Sequence, residues 1–174
     1  MFGFELLAKL VKILRSAASP NQIAVGFMIG MVIGLTPFWT LHNMILIVIL
    51  IILNINIGTA IYSFVLFSAV AYLIDPLFHS LGYFLLVDMT SLNSLWTLLY
   101  NFPIVALSRY NNTVVIGSLA ISIILALPMY FIAKSGVIYY RENIDQKMQK
   151  WKIVQVVKGS KLYSFYEKLK NFGD

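Results

Sequence analysis

The segment Met44-Ile-Leu-Ile-Val-Ile-Leu-Ile-Ile-Leu53 decides the class of this protein, because it contains no charged, hydroxyl or amide side chain. Its surroundings are almost as apolar, since the charged side chains between residues 16 and 133 are only Asp75, Asp88 and Arg109. Soluble domains carry charge on roughly a quarter of their residues, whereas a chain this poor in charge needs lipid as its solvent. We therefore expect an all-α integral membrane protein.

Composition narrows the class further. The chain has 174 residues, of which 60% are hydrophobic, and a mean hydropathy of +0.83. This length and apolar share fit one compact membrane domain. The absence of cysteine from the sequence excludes disulfide bonds, iron–sulfur clusters and thiol nucleophiles.

Basic residues flank the apolar block at both ends. Residues 1–15 have a net charge of +2, residues 16–133 of −1 and residues 134–174 of +5. Positive charge beside membrane spans marks the cytoplasmic side, so we expect a multi-pass protein of the bacterial inner membrane with both termini in the cytoplasm. The basic tail lies beside a span and has no recognisable nucleic-acid fold, which favours membrane lipids over nucleic acid as its partners.

The segment 22–53 is expected to form a hairpin of two short helices. Ser19 and Gln22 fit a capping box with Pro20 at the first helical position, and the apolar run that follows ends at Pro37. A straight helix over 22–53 would be about 48 Å long, well beyond the roughly 30 Å of the hydrocarbon core. Either the two arms re-enter on the side from which they came, or the segment crosses twice. Both choices leave the termini on one side.

Polar and proline-containing breaks divide the rest of the membrane domain, which we place at residues 19–133. Asp75-Pro76 is expected to end a span. After the hairpin, the sequence predicts a span at 57–74, a short helix at 77–87, an interfacial segment at 92–108 and a second span at 113–133. Two full spans agree with two cytoplasmic termini.

The two ends are expected to be amphipathic helices outside these spans. Residues 1–18 mix apolar side chains with Lys9, Lys12 and Arg15, which suits a helix that lies on the membrane or one that packs against the rest of the protein. Residues 134–174 form a basic cytoplasmic tail with two short amphipathic patterns.

Residues 20–86 resemble an uncharacterised family of small bacterial membrane proteins of unknown function. The resemblance rests on a G-x-x-x-G-x-x-x-G-x-T-P core and on polar positions after it, namely Gly26, Gly30, Gly34, Thr36, Pro37, His42, Asn54, Asn56, Asp75 and Pro76. Many relatives carry Asn where this chain has Asp75. The resemblance implies an accessory membrane protein, and its longer subgroup implies pairing with a large envelope-spanning protein of the lipid-transfer type.

Three glycines, Gly26, Gly30 and Gly34, recur every four residues and share one helix face. Small residues let another backbone approach closely, which is a main source of attraction between helices in lipid. We expect this stripe to pack inside the protein against the second arm of the hairpin. The alternative is a partner interface or a substrate groove.

Polar side chains gather at the predicted hairpin tip, where they are Thr36, Pro37, Thr40, His42 and Asn43. A tip inside a membrane leaves backbone amides and carbonyls unpaired, and these side chains can satisfy them. The alternative is a site for a polar substrate or an ion, because polar groups at membrane depth are costly and often functional.

Three further residues form a candidate polar group. Asp75 and His79 stand four residues apart and can share a helix face as a proton relay, although Asp75-Pro76 also fits an ordinary helix cap. Arg109 is the one basic residue of the central block. It is expected to contact a lipid phosphate, to pair with Asp88, or to lie in water.

No enzyme signature is present in the sequence, which lacks the common zinc-protease, nucleotide-binding and serine-hydrolase motifs. The two histidines, His42 and His79, make a weak case for a metal. We therefore expect no enzymatic activity, no metal and no cofactor.

Two functions remain open. The first is a noncatalytic accessory or anchoring subunit of a larger envelope assembly that handles lipids, with a larger envelope protein or a second copy of the chain as its partner. The second is a small carrier or flippase for an anionic lipid or lipid-linked substrate. The first is favoured because two spans and short helices barely enclose a cavity.

Overall fold

The computed structural model describes residues 10–106 and 108–145, apart from the side chain of Ala106. Within these ranges the chain is helical and contains no strand, which confirms the all-α prediction. The helices are α1 (Pro20–Leu35), α2 (Leu41–Ile52), α3 (Ile57–Tyr83), α4 (Asn93–Tyr100), the single turn α5 (Pro103–Ala106) and α6 (Thr113–Tyr139). Residues 10–14 are also helical, whereas the predictions for residues 1–9 and 146–174 lie outside the described residues.

Helix α1 begins at the predicted capping box. The Ser19 amide donates to Gln22 Oε1 at 2.8 Å, and the Gln22 amide donates to Ser19 Oγ at 3.2 Å. The Gln22 side-chain amide also donates to the Asn54 carbonyl at 3.3 Å, so the start of α1 lies beside the end of α2. Helices α1 and α2 therefore form an antiparallel hairpin, as predicted for 22–53.

The glycine stripe of α1 packs against α3. A Cβ on Gly26 would lie 2.6 Å from the Asn56 carbonyl oxygen, and one on Gly34 would lie 2.7 Å from the Phe64 carbonyl oxygen. At Gly30 it would overlap the backbone of Ala60. The expectation that this stripe faces α2 is wrong, because the atoms nearest to all three glycines belong to residues 55–67, which lead into and form α3. The contacts advance together along both chains, so α1 and α3 run parallel.

Helix α3 is continuous through Pro76, so the predicted break at Asp75-Pro76 is wrong. The proposed span at 57–74 and the short helix at 77–87 are parts of one helix, which continues as a π-helical turn at Phe84–Asp88. Proline removes one backbone donor, but a full break would leave several backbone groups unpaired on an apolar helix. The Ser80 hydroxyl donates to the Pro76 carbonyl at 2.9 Å.

A second glycine contact joins α3 to α6. A Cβ on Gly82 would overlap the Thr113 carbonyl, and a Cβ on Gly117 would overlap the Phe78 carbonyl. Phe78 is fully buried at this crossing. Because higher numbers on α3 meet lower numbers on α6, the two helices run antiparallel. Residues of α1, α3 and α6 share one apolar cluster, built on Met31, Val32, Leu35 and Phe78 with Val114, Ile121 and Met129 against it.

Helix α6 is longer than the predicted span at 113–133, and Pro128 does not end it. Its Tyr130 hydroxyl donates to Asn21 Oδ1 at 3.2 Å, so this part of α6 lies beside the start of α1. The chain divides into a unit that ends at Val137 and a unit that begins at Ile138. In the second unit the described residues continue into a π-helical turn, Tyr140–Asp145.

Two continuous helical stretches, Ile57–Asp88 and Thr113–Asp145, are long and apolar enough to cross a membrane. Only 17% and 22% of their most apolar windows are buried within the protein. The core helix of a soluble protein would be mostly buried. Large apolar side chains instead cover the outside of these helices, as at Leu73, Ile124 and Leu127.

Replacement of Gly30 by alanine should destabilise the protein, because the added methyl group meets the Ala60 backbone and cannot be relieved by a side-chain rotation. We expect the free energy of unfolding to fall by about 2–3 kcal/mol. Titration with a denaturing detergent, followed by circular dichroism, measures this loss.

Gly136→Ala is the matched control, because nothing lies within 4 Å of a Cβ at Gly136. It should leave stability unchanged or raise it by up to about 1 kcal/mol through helix propensity. Equal destabilisation by the two variants would show that the contact between α1 and α3 has no special role.

Candidate functional site

The hairpin tip brings all five predicted tip residues into one hydrogen-bonded network, through the side chains of Thr36, Thr40, His42 and Asn43 and the carbonyl of Pro37. Pro37 and Phe38 make the turn between α1 and α2, and their carbonyls point inward to side chains. Thr36, Thr40 and Asn43 are at most 5% exposed, and Asn43 is fully buried. A polar cluster so deeply enclosed requires a partner for each of its donors and acceptors.

Asn43 is the centre of this network. Its side-chain amide donates to the Pro37 carbonyl at 3.0 Å and to the Phe38 carbonyl at 3.4 Å. Its Oδ1 lies 3.0 Å from the Thr36 hydroxyl, which also lies 2.8 Å from the Val32 carbonyl. Asn43 thus uses its donor hydrogens to close the turn, and its Oδ1 shares the single hydrogen of the Thr36 hydroxyl with the Val32 carbonyl.

Thr40 and His42 complete the tip. The Thr40 hydroxyl donates to the Pro37 carbonyl at 3.1 Å and lies 3.0 Å from His42 Nε2. A hydroxyl has one hydrogen to donate, so the tautomer of the His42 ring sets which partner of this contact is the donor. In either tautomer the contact joins His42 to the turn through Thr40.

The surface of the tip is aromatic. Phe38 is 42% exposed and Trp39 is 70% exposed, and their rings meet edge to face with centroids 5.2 Å apart. The Phe38 ring also lies 5.7 Å from the Phe64 ring of α3. The tip therefore presents an apolar surface and directs its polar groups inward, an arrangement that satisfies the turn.

Asp75 and His79 do not form the predicted pair. His79 Nδ1 lies 2.7 Å from the Thr113 hydroxyl, which links α3 to the start of α6. Asp75 is exposed inside a continuous helix and does not cap one. Among the described residues it makes no hydrogen bond or ion pair. The spacing was correct for a shared face, but Thr113 is the nearer partner.

Arg109 lies in the loop before α6 with an exposed side chain and a backbone φ of 57°. The predicted pair with Asp88 does not form within the part of the chain that the structure describes. The Asn112 amide donates to the Arg109 carbonyl at 2.9 Å, which closes the turn. The other two expectations for Arg109, a lipid phosphate and water, stay predictions.

Near Arg109 the structure forms an aromatic cleft that the sequence did not indicate. The rings of Trp96 and Tyr110 stack with centroids 6.0 Å apart, and Trp96 Nε1 donates to the Leu85 carbonyl at 3.1 Å. Tyr100 and Asn111 also line this cleft of about 390 Å³. Trp96 and Tyr100 stand four residues apart and can share a helix face, but nothing local in the sequence indicates that Tyr110 closes over it.

A second cavity missed by the sequence lies at the other end of α3. It has a volume of about 420 Å³ and a mainly apolar lining. Its walls are residues of the N-terminal segment and of the first turns of α3, namely Lys12, Ile13, Ser16, Asn56, Gly58, Ile61, Tyr62 and Val65. We call it the basic-end crevice. No sequence signal links residues so far apart, although an amphipathic N-terminal segment was predicted.

Across the described residues, no three His, Cys, Asp or Glu side chains are grouped in a way that could hold a metal ion. The two histidines lie on different helices and contact threonines.

Comparisons with other proteins agree with the resemblance found in the sequence. A family model described as an uncharacterized protein conserved in bacteria (DUF2062) matches residues 6–144. An uncharacterized protein of Treponema pallidum (strain Nichols) is 28% identical over 156 residues, which cover 90% of this chain and 96% of that protein. No solved structure matches the chain. The predicted resemblance is confirmed and extends beyond residues 20–86 on both sides.

Replacement of Asn43 by leucine should destabilise the hairpin, because it removes the bonds of a fully buried side chain to the Pro37 and Phe38 carbonyls and to the Thr36 hydroxyl. A hydrogen bond contributes about 0.5–1.5 kcal/mol, so we expect the loss of three to lower the free energy of unfolding by about 2–4 kcal/mol. Detergent-induced unfolding measures this change.

Asn93→Leu is the matched control, because Asn93 is exposed at the start of α4. Its effect should stay within about 0.5 kcal/mol. A stable Asn43→Leu variant would show that water or lipid headgroups satisfy the tip, and that the polar network is available for another purpose.

Proposed function

The chain belongs to the DUF2062 family of uncharacterized proteins conserved in bacteria, and from this premise we propose that it is a noncatalytic accessory subunit of the bacterial inner membrane. In this proposal it anchors a larger envelope assembly that handles lipids, and both of its termini are cytoplasmic. The partner is a larger envelope protein.

The observation that carries the membrane proposal is the number of large apolar side chains exposed on the outside of the helices. The buried polar residues, Thr36, Thr40, Asn43, Thr59, Ser63, Ser118 and Ser122, all have hydrogen-bond partners inside the protein. Large apolar residues of α2, α3 and α6 are exposed instead. This distribution is costly in water and favourable in lipid.

The depth of the hairpin supports a re-entrant arrangement. Gly34, near the tip, lies against Phe64, which is seven residues after the start of α3 and therefore about 10 Å along its axis. The apolar part of α3, residues 57–74, is about 27 Å long by the same rise. The tip then ends inside the bilayer, and its buried polar network explains how a turn is tolerated at that depth.

Anchoring is favoured over transport because the polar side chains of the tip already form hydrogen bonds with the backbone of the turn. Helix α2 instead offers an apolar ridge on its outer face, made by Ile45, Val48 and Ile52, which are each more than half exposed. Its opposite face packs on α1 through Leu46, Ile47 and Ile49. In lipid, an outer ridge on a firmly held short helix suits contact with another membrane segment.

A second candidate function is a carrier or flippase for an anionic lipid. The observation in its favour is that cavities lie at both ends of α3, the basic-end crevice and the aromatic cleft. A carrier requires these two sites to connect during a transport cycle.

Cysteine labelling tests the membrane arrangement, since the native chain contains no cysteine. Single cysteines at Ala17, Asn111 and Trp39 report the cytoplasmic end, the opposite end and the tip. We expect a membrane-impermeant maleimide to label Ala17→Cys from the cytoplasmic side and Asn111→Cys from the outside. Trp39→Cys should react from neither side until detergent is added.

Labelling of Trp39→Cys from the outside, at the rate seen for Asn111→Cys, would show that the hairpin crosses the membrane twice. Labelling of Ala17→Cys and Asn111→Cys from one side would contradict the whole arrangement.

Native purification of the tagged protein tests the accessory role. Mass spectrometry should detect a larger envelope protein in stoichiometric amount. Val48→Trp should lower that amount about tenfold, because a bulky ring on the α2 ridge disturbs close packing at a cost of roughly 1–3 kcal/mol. Ile124→Trp, at an exposed position of α6, is the matched control and should retain the partner.

Equal recovery of the partner with both variants would exclude the α2 ridge as the contact. Purified protein that holds no partner and accelerates lipid exchange between the leaflets of liposomes would replace the accessory role with the carrier role.

A further inference from the structure

The basic-end crevice joins an apolar wall to a positively charged rim. We propose that it binds one anionic phospholipid, with an acyl chain against α3 and the phosphate group at Lys12. This inference depends on the proposed membrane location and names a ligand that the proposed accessory role does not require.

The apolar wall fits an acyl chain. Ile61 and Val65 of α3 are 58% and 42% exposed, and Ile13 faces them from the N-terminal segment. Gly58 adds no side chain to the crevice. A Cβ at this position would lie 3.8 Å from Ile13 Cγ1 and 3.3 Å from Asn56 Oδ1, both of which line the crevice. The volume of about 420 Å³ falls in the range of roughly 300–1,000 Å³ typical of ligand pockets.

The rim supplies donors that the fold leaves unused. Asn56 caps α3 with its Oδ1, which accepts from the Thr59 amide at 2.9 Å and the Thr59 hydroxyl at 2.8 Å. This orientation leaves the Asn56 amide hydrogens for a ligand. Lys12 is exposed, and neither it nor the Tyr62 hydroxyl has a partner among the described residues. Ammonium, amide and hydroxyl groups are all donors that phosphate oxygens accept.

Charge selects an anionic ligand over a neutral one. The sequence contains no Asp or Glu between Glu5 and Asp75, so no acidic residue of the two lining segments opposes Lys12. The cap residue Asn56 also marks the positive end of the α3 dipole, which favours a phosphate at this end of the crevice. The apolar wall then distinguishes a phospholipid from a free phosphate, because only a lipid fills it.

Binding to delipidated full-length protein in a nonionic detergent tests the proposal. Native mass spectrometry would compare phosphatidylglycerol with phosphatidylcholine of the same acyl chains. We expect tighter binding of phosphatidylglycerol, and we expect Lys12→Gln to weaken it about tenfold, the value of one lost charge-assisted contact. Phosphatidylcholine also carries a phosphate, but its cationic choline opposes the charge of Lys12, so Lys12→Gln should weaken phosphatidylcholine less than phosphatidylglycerol.

Gly58→Leu tests the acyl-chain wall, because Gly58 lines the crevice and a leucine side chain there would take up part of its volume. It should weaken both lipids to a similar extent. Lys134→Gln is the matched charge control, since Lys134 lies over the Tyr130 ring at 5.9 Å and does not line the crevice. Thermal unfolding followed by circular dichroism confirms that each variant is folded.

Equal affinity of the native protein for the two lipids, or equal effects of Lys12→Gln and Lys134→Gln, would overturn the proposal in favour of unspecific lipid around the protein. Folded Gly58→Leu with native affinity would exclude the crevice as the site. Recovery of the envelope partner by Lys12→Gln separates this outcome from a failure of the accessory role.

Discussion

The contact of the α1 backbone with the α3 backbone is the constraint on which the rest of the structure depends. Gly26, Gly30 and Gly34 lie against three successive turns of α3, and any side chain at these positions would meet backbone atoms. This close approach fixes the depth of the hairpin, because the tip must lie where the stripe ends, beside Phe64. It also brings the residues before α1 next to the start of α3, where the basic-end crevice forms.

Helix α3 packs against both of the other helices that make close backbone contacts. Its first half contacts α1, and its second half contacts α6 where Gly82 and Gly117 meet. A break at Pro76 would separate the two contacts and leave the two ends of the protein uncoupled. The continuous helix instead sets the aromatic cleft and the basic-end crevice on one axis. In the proposed membrane orientation, each cavity then lies near a different face of the bilayer.

The sequence predicted features whose causes are local. Ser19 and Gln22 form their capping box because both partners lie within one turn, and the hairpin follows from the short apolar runs on either side of Pro37. Prediction from the sequence was wrong where a contact depends on residues that lie far apart in the chain. Thr113, not Asp75, binds His79, and α3, not α2, covers the glycines. Pro76 predicts a break by the rule for helices in water, where freed backbone groups are solvated. An apolar helix loses more by ending than by missing one hydrogen bond, so α3 continues through Pro76.

The candidate sites differ in how many of their hydrogen-bond donors the fold already uses. At the tip, the Asn43 side-chain amide donates to two carbonyls of the turn, so a ligand there would have to displace bonds on which the hairpin depends. At the basic-end crevice, the amide of Asn56, the Tyr62 hydroxyl and the Lys12 ammonium have no such commitment among the described residues. Donors that folding leaves unused beside an apolar wall can bind a ligand without cost to the fold. A lipid is therefore expected to bind at the basic-end crevice, where binding breaks no hydrogen bond of the fold. The buried polar tip holds the hairpin in place.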